Sequence, residues 1–383
     1  MTVKIKHHFH LGILPLAYSI LSSLKFPQIV ERYAPSGPKQ IVSNGLTLTS
    51  VVLNRLTAAD PLYKVDSWAF HSGLHLLVPI DPTKLNDDRI GRTFDAVSEH
   101  LAPIFLDFSR NVISQYNVKL SEVHTDGTSL YFEGVYEDDE EFITRGYSHD
   151  GHQGKIQVHP LLVTTADGGL PLYYSLHPGN ALDKKILLPA LGAFIEQYKN
   201  IVEQDKTIII GDRGTISKKN AIKMNKRGLK FLGAVKLDGK LKKALYSIPE
   251  DAFRESTYRP ASKRGGLFYV AEIPVELSVG KESVRVRGIA VISENKRKND
   301  IAAINRVVAT VQEGLMSIKA KLGRRHYREV KEVKAQIRKL FSRRYKKYRS
   351  LFDITIVEEE GRVVDLRWSI RKDEESRLRK AAG

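Results

Sequence analysis

The sequence predicts a fold of the α/β class, in which a mixed sheet follows an all-helical region and precedes a β-rich segment. Three observations support this prediction. Apolar residues recur at helical spacing as far as about residue 115, strand and helix patterns alternate over 121–235, and strand patterns return beyond residue 237. We therefore expect three regions, at 1–117, 118–237 and 238–383.

The first region has the pattern of a small helical domain. Apolar side chains between Leu11 and Leu24 repeat every three or four residues, and a further helix is expected to start at Asn86 or Asp87, either of which can act as its N-cap. The arginines and histidines of this region suit contact with a DNA end. A helical bundle that serves only for packing explains the pattern equally well.

The central region reads as three strands, a helix, a strand, a helix and a strand. A hairpin turn at 166–169 joins the second strand to the third. This order favours a mixed sheet with helices as crossover connections. The expected strands are 121–125, 156–164, 170–176, 207–211 and 230–235, and the expected helices are 182–198 and 217–226.

Two aspartates stand where strands of the central region end. Asp126 follows the first strand and precedes Gly127, and Asp212 follows the strand at 207–211, in which three isoleucines form an apolar run. Carboxylates in such places are held by the sheet and exposed at its rim, as metal-dependent phosphoryl chemistry requires. We expect Asp126 and Asp212 to lie on adjacent strands and to share a metal site. The alternative is that both are turn residues that cap a loop and a helix.

The composition points to an anionic partner. The chain of 383 residues carries 61 Lys and Arg against 44 Asp and Glu, a formal charge of +17, so nucleic acid is the first candidate and a merely soluble basic protein is the alternative. The absence of Cys excludes disulfides and thiolate zinc sites and is compatible with a reducing compartment. The apolar run at 11–24 is too short to cross a bilayer, so no membrane association is expected.

The third region is predicted to contain two hairpins and a basic helical arm. The hairpins are expected at 267–277 with 283–292 and at 352–357 with 362–370, and the helices over 300–348 with a break at 322–324. Aromatic residues interleave with Lys and Arg over 319–349, which favours contact with a DNA backbone over a solvated helix face. The predicted DNA contacts are Arg213, Lys319, Arg324, Arg325, Arg328, Arg338, Arg343, Arg344, Lys346 and Lys347.

Four histidines of the central region invite a zinc interpretation. His149 and His152 have a spacing that suits a metal, but their stretch has neither a helical frame nor a glutamate as general base. We expect these two, together with His159 and His177, to be surface or phosphate-contacting residues.

The motifs of the chain, taken in order, resemble those of the DDE transposases of bacterial and archaeal insertion sequences, in the subgroup with a β-strand insertion. The motifs are HLGI at 10–13, LNDDRIGR at 85–92, HTDGTS at 124–129, GYS at 146–148, GGLPL at 168–172, PGN at 178–180 with Asp183, and GDRG at 211–214. The resemblance covers most of the chain. It implies an RNase H-like core after a helical N-terminal domain, with the β-rich segment as an insertion in that core.

The resemblance also implies a catalytic triad of two aspartates and a glutamate. The aspartates carry over as Asp126 and Asp212, and the glutamate belongs in a motif of Tyr, two residues, Arg, three residues, Glu, six residues and Lys. The sequence has no such motif, and the nearest match, Trp368 with Arg371 and Glu375, is interpreted as coincidence. We therefore expect a truncated copy, with the third acid beyond Gly383.

The implied function is DNA transposition with Mg²⁺ or Mn²⁺ as cofactor. The reaction would cut at the transposon ends and join the freed 3′-hydroxyl to target DNA, in a homo-oligomer acting in the prokaryotic cytoplasm at the nucleoid. We expect this truncated chain to bind DNA and to have little or no catalytic activity. Two alternatives stay open: a non-catalytic DNA-binding derivative of a transposase, and a general nuclease on the RNase H fold.

Overall fold

The computed structural model describes residues 8–134, 142–146, 154–202, 206–260, 266–341 and 345–380. The chain divides into two compact units. The first contains Met1–Val235 and Ser278–Glu282, and the second contains Lys236–Leu277 and Ser283–Gly383. None of the helices within the described ranges is both long enough and apolar enough to cross a membrane.

The N-terminal part of the first unit is helical, as predicted. Its apolar faces pack into one core that includes Val30, Leu53 and Leu74, all at most 2% exposed. The Asn86 side chain accepts a hydrogen bond of 2.9 Å from the Arg89 backbone N–H and so caps the fifth helix. The helices are α1 (Leu14–Ser23), α2 (Phe26–Tyr33), α3 (Asn44–Thr57), α4 (Val65–His71), α5 (Asp87–Ser98) and α6 (Leu101–Tyr116).

A mixed sheet with two helices follows in the same unit. Its strands are β1 (Glu122–Gly127), β2 (Leu130–Tyr131), β3 (Thr144–Arg145), β4 (Ile156–Thr165), β5 (Pro171–Pro178), β6 (Ile208–Gly211) and β7 (Lys230–Gly233), and its helices are α7 (Asp183–Gln197) and α8 (Lys218–Lys226). The antiparallel strand β4 pairs with both β1 and β5, while β6 runs parallel to β1 and β7 parallel to β6. The short strands β2 and β3 also pair with β4.

This topology confirms the predicted α/β class. Three antiparallel strands are extended by two further strands parallel to the first, which is the RNase H-like arrangement. Helix α7 packs on the sheet through Ile186 and Ala190, which form a buried cluster with Leu161 of β4. In β6, Ile209 is 3% exposed, whereas Ile208 and Ile210 are only partly buried.

The second unit combines hairpins with basic helices. Its elements are α9 (Gly239–Tyr246), β8 (Arg254–Glu255), β9 (Phe268–Val279), β10 (Glu282–Ser293), α10 (Glu294–Lys319), α11 (Val330–Leu340), β11 (Phe352–Glu359), β12 (Arg362–Ile370) and α12 (Lys372–Lys380). Both predicted hairpins are present, and the predicted helical break falls between α10 and α11. A core that includes Val311, Val333 and Leu366 holds α10 and α11 against the β11–β12 hairpin.

The prediction for the aromatic residues of this unit was wrong. The aromatic residues interleaved with Lys and Arg were taken as part of a DNA-binding face. Phe341 and Tyr348 are instead buried in the core of the unit, at 7% and 8% exposure, with Tyr327 and Tyr345 packed against it. The reason is amphipathicity, because the apolar side of each segment faces the hairpin while its basic side chains remain in solvent.

Candidate active site

Asp126 and Asp212 directly follow two residues that pair between the neighbouring strands β1 and β6. The parallel register of β1 and β6 pairs Thr125 with Gly211, and each aspartate is the next residue along its chain. Both aspartates are exposed. The prediction that they lie on adjacent strands of one sheet is therefore confirmed, and their role as metal ligands stays a prediction.

The turn after β6 orients Asp212. The Thr215 backbone N–H and hydroxyl donate hydrogen bonds of 2.7 Å and 2.8 Å to the same oxygen, Asp212 Oδ1, and the Ile216 N–H donates to the Asp212 carbonyl at 2.9 Å. Thr215 is fully buried. Because its hydroxyl is held by the packing around it, the Asp212 carboxylate is fixed relative to the strand.

Alternation along β1 places Asp126 on the solvent side. Val123 and Thr125 are buried, whereas Glu122, His124 and Asp126 are exposed, as expected of a strand with one covered face. The Gly127 N–H donates a hydrogen bond of 3.0 Å to Asp126 Oδ1. The carboxylate is thus presented at the end of the strand.

A buried histidine and a third aspartate lie beside these two acids. His159 of β4 is 4% exposed, and its Nε2 lies 2.6 Å from Oδ1 of Asp183, the first residue of α7. A carboxylate at a helix N-terminus is also favoured by the helix dipole. The prediction that His159 is a surface residue was wrong, because its side chain is buried against Asp183 at the start of α7, and contact with phosphate stays a prediction.

Two glycines leave room for the Asp183 carboxylate. A Cβ at Gly127 would lie 2.1 Å from Asp183 Oδ1 and 2.6 Å from His159 Nε2. A Cβ at Gly214 would lie 3.2 Å from Asp212 Oδ1 and 3.7 Å from Asp183 Oδ2. Asp183 therefore lies between the residue that follows Asp126 and the turn that holds Asp212.

The neighbouring histidine differs from His159. His177 of β5 lies opposite His159 in the sheet, and its Nε2 is 2.8 Å from the Ser175 hydroxyl. Burial lowers the pKa of His177, and the nearby His159 lowers it further. The neutral form of His177 is thereby favoured. His149 and His152 lie outside the described residues.

The carboxylate oxygens of Asp126 and Asp212 are suitable ligands for a hard divalent cation. Carboxylate oxygens are the ligands that Mg²⁺ prefers, and Mg²⁺ commonly binds one or two carboxylates and retains water molecules. Within the described ranges, no three His, Asp or Glu side chains are grouped so that they could hold a metal by themselves. The fit therefore rests on the pair formed by Asp126 and Asp212.

Glu375, which comes nearest in sequence to the expected catalytic glutamate, lies in the second unit. Glu375 is on α12, and its Oε1 accepts a hydrogen bond of 2.8 Å from Arg379. Trp368 is in β12, so the match begins in a strand, as its sequence suggested. These contacts give Glu375 a local structural role.

The basic residues predicted to contact DNA are exposed wherever the structure describes them. Lys319 forms an ion pair of 2.7 Å with Asp365, and Arg328 Nε donates to the Gly323 carbonyl at 2.9 Å. Arg343 and Arg344 lie outside the described residues. The exposed ones are Arg213, Lys319, Arg324, Arg325, Arg328, Arg338, Lys346 and Lys347.

The family comparison matches two parts of the chain. Residues 120–276 match a model described as a transposase DDE domain. The matched range contains Asp126, Asp183 and Asp212. Residues 3–105 match a domain of unknown function. A comparison with curated proteins gives no match.

Solved structures that resemble the chain are transposase complexes. The Mos1 transposase paired-end complex with left transposon end has 9% identity and a TM-score of 0.21, over 51% of this chain and 60% of the other. The piggyBac transposase synaptic complex with hairpin DNA has 15% identity and a TM-score of 0.27, over 70% of this chain and 51% of the other. The chain thus spans 60% or less of each of these two proteins, and similarity at such TM-scores carries no argument about the site.

Proposed function

We propose, on the premise that residues 120–276 match a transposase DDE domain, that this chain is a DNA transposase in which Asp126 and Asp212 hold Mg²⁺ or Mn²⁺. The observation that carries the proposal is the register of β1 and β6, because the two aspartates directly follow residues that pair between these neighbouring strands. The proposed reaction is cleavage at the transposon ends, followed by attack of the freed 3′-hydroxyl on target DNA.

Each residue at the site has a proposed role. Asp126 and Asp212 bind the metal, which when bound neutralises charge on the scissile phosphate and activates the nucleophile. Thr215 donates two hydrogen bonds to one oxygen of Asp212 and so fixes the orientation of this carboxylate. Arg213 is exposed beside Asp212 and suits a phosphate oxygen of the substrate.

The partners follow from the same premise. The proposed substrate is DNA, at the transposon ends and in the target, and the basic side chains of the second unit are proposed to bind its backbone without reading bases. We propose that the chain works as a homo-oligomer, since two ends must be brought together. The three-domain division at 1–117, 118–237 and 238–383 remains part of this proposal.

Binding of Mn²⁺ tests the metal site without relying on catalysis. Free Mn²⁺ would be measured by electron paramagnetic resonance as it is titrated with the full chain and with its Asp126→Asn and Asp212→Asn variants. Asp167→Asn is the control, because Asp167 is exposed in the β4–β5 hairpin turn of the same sheet. We expect each site variant to weaken binding at least tenfold and the control to leave it unchanged. Equal affinity in all four proteins would contradict the proposal.

Cleavage of a supercoiled plasmid that carries the element's own ends tests the reaction. Strand-transfer products that disappear with Asp126→Asn and with Asp212→Asn would support a transposase. Hydrolysed ends without joined products would indicate a general nuclease, and DNA binding that neither variant changes, without any cleavage, would indicate a non-catalytic derivative.

A further inference from the structure

A basic cleft lies between helices α7 and α8 of the first unit. It encloses about 850 Å³, and half of its lining residues carry a positive charge, while none of the lining residues is acidic. The charged lining residues are Lys184 and Lys185 of α7 and Lys218, Lys219, Lys223 and Arg227 of the α8 segment. The Glu282 carboxylate, which is paired with Lys226, also interacts electrostatically with Lys219 and Lys223.

Four of these side chains are exposed lysines that form no ion pair within the described ranges. They are Lys184, Lys185, Lys219 and Lys223. Elsewhere in the unit, exposed lysines do find carboxylates, as Lys199 does with Glu196 at 2.7 Å. A concentration of like charge in a concave surface is unfavourable unless anions compensate it, and the single carboxylate of Glu282 does not balance the six positive charges of the lining. The cleft therefore has the electrostatic character of an anion-binding surface.

The walls of the cleft are tied together at the end nearest the aspartates. Asn220 is 3% exposed, and its Nδ2 donates hydrogen bonds of 3.0 Å to the carbonyls of Lys184 and Thr215. These bonds join the first turn of α7 to the first turn of α8. Thr215 also holds Asp212, so the same turn connects the cleft to the candidate active site.

The two helices begin at the edge of the sheet that carries the acids. Asp183, against Gly127, is the first residue of α7, and α8 starts after the turn that follows Asp212. Lys184 and Lys185 lie in the first turn of α7. The basic cleft therefore starts next to the candidate active site and continues away from it along both helices.

The spacing of the charges fits a linear polyanion better than a single phosphate. Lys219, Lys223 and Arg227 follow one another at four-residue intervals, which corresponds to about 6 Å along a helix axis. This is roughly twice the axial rise of about 3.4 Å per phosphate in one DNA strand. A site for a mononucleotide would instead have its cations converge on one point.

We infer that the α7–α8 cleft binds the phosphodiester backbone of the DNA that adjoins the reaction site. The inference rests on the proposed function and adds a contact surface within the catalytic unit, separate from the basic residues of the second unit. Binding is to phosphates and carries no base specificity. Its strength therefore depends steeply on salt.

The test measures DNA binding by the full chain as a function of salt. A fluorescently labelled 30-base-pair duplex of arbitrary sequence is titrated with wild type and with Lys219→Ala/Lys223→Ala, in EDTA so that metal binding plays no part. The control is Lys119→Ala/Lys199→Ala, which removes the same charge from exposed positions before β1 and after α7. A Lys184→Ala/Lys185→Ala variant repeats the test on the other wall if the first variant does not fold.

We expect the cleft variants to bind the duplex at least tenfold more weakly than wild type. The slope of log K against log salt should fall in magnitude by about two, one for each lost phosphate contact, and by less than half of that in the control. Cleft variants that behave like the control, or a wild type that binds no duplex, would overturn the inference. Because the assay contains no divalent metal, failure of the Mn²⁺ test at Asp126 and Asp212 leaves this outcome unaffected.

Discussion

His159 and Asp183 form a hydrogen bond of 2.6 Å between Nε2 and Oδ1, in a place where the histidine is almost wholly buried. An ionised carboxylate can only accept, so the ring nitrogen donates. The pair links the middle of the sheet to the start of α7 and lies against Gly127, the residue that follows Asp126. The pair is therefore next to the proposed metal site, because Asp126 is the neighbour of Gly127 in the chain.

Removing the histidine should therefore weaken metal binding without removing a ligand. For His159→Ala we expect Mn²⁺ affinity to fall several-fold, because Asp183 loses the side chain that holds it against Gly127, the residue next to Asp126. His177→Ala, on the neighbouring strand, should change the affinity less than threefold. The measurement is the Mn²⁺ titration described above. Equal losses in the two variants would mean that the effect is general to the sheet.

Gly127→Ala tests the close approach of Asp183 to the strand. The new Cβ would meet Asp183 Oδ1 at 2.1 Å, so the carboxylate and His159 must move. We expect the free energy of unfolding to fall by about 1–3 kcal/mol, as for other overpacked sites. Urea unfolding would be followed by Trp68 fluorescence in a Trp368→Phe background, since the chain has only these two tryptophans.

The matched control for this substitution is Gly91→Ala in α5. A Cβ at Gly91 meets no atom within 4 Å. Alanine is favoured over glycine inside a helix, so stability should rise by up to about 1 kcal/mol. A loss of stability in both variants would contradict the steric explanation for Gly127.

Thr215 offers a test of how Asp212 is oriented. Thr215→Val removes the hydroxyl that donates to Asp212 Oδ1 at 2.8 Å and keeps both the side-chain shape and the backbone N–H. We expect a loss of about 0.5–1.5 kcal/mol in stability, typical of one hydrogen bond, together with a several-fold loss of Mn²⁺ affinity. Thr215→Ser should restore the affinity. Failure of serine to do so would assign the effect to packing.

The order of the central elements could be predicted from sequence because each has a strong local signal. The apolar run before Asp212 and the turn at 166–169 are examples, and together they place the two acids on neighbouring strands. The short strands β2 and β3 were missed, since two residues carry no periodicity and pair only because β4 is longer than β1.

The contacts of His159 and Asp183 could not be predicted in the same way. Whether a histidine in a strand is buried depends on which helix covers that face, and this is a tertiary property. The available signals were the position of His159 beside the apolar residues of its strand and the aspartate of the PGN motif. The core position of Phe341 was missed for the same reason, because charge density alone does not show which side of a helix packs.

The ion pair of Lys319 with Asp365 predicts a pH dependence for the second unit. Hydrogen bonds from Lys319 and then from Arg367 lower the pKa of Asp365 to about 2. A folded-state pKa below the unfolded value means that the stabilisation is fully present above pH 4 and is lost as the pH falls from about 4 to about 2. The urea midpoint, followed by Trp368 fluorescence in a Trp68→Phe background, should fall through that window.

Asp365→Asn should flatten this dependence, because the amide has no proton to gain. The control is Asp353→Asn, which changes an exposed aspartate on β11 of the same hairpin and should retain the fall of the urea midpoint.

Asp365→Asn also bears on the predicted role of Lys319, since breaking the 2.7 Å ion pair makes the Lys319 ammonium group available to a phosphate. If Lys319 contacts DNA, Asp365→Asn should bind the duplex more tightly than wild type at the same salt concentration. Unchanged duplex affinity would count against Lys319 as a DNA contact and leave its role structural.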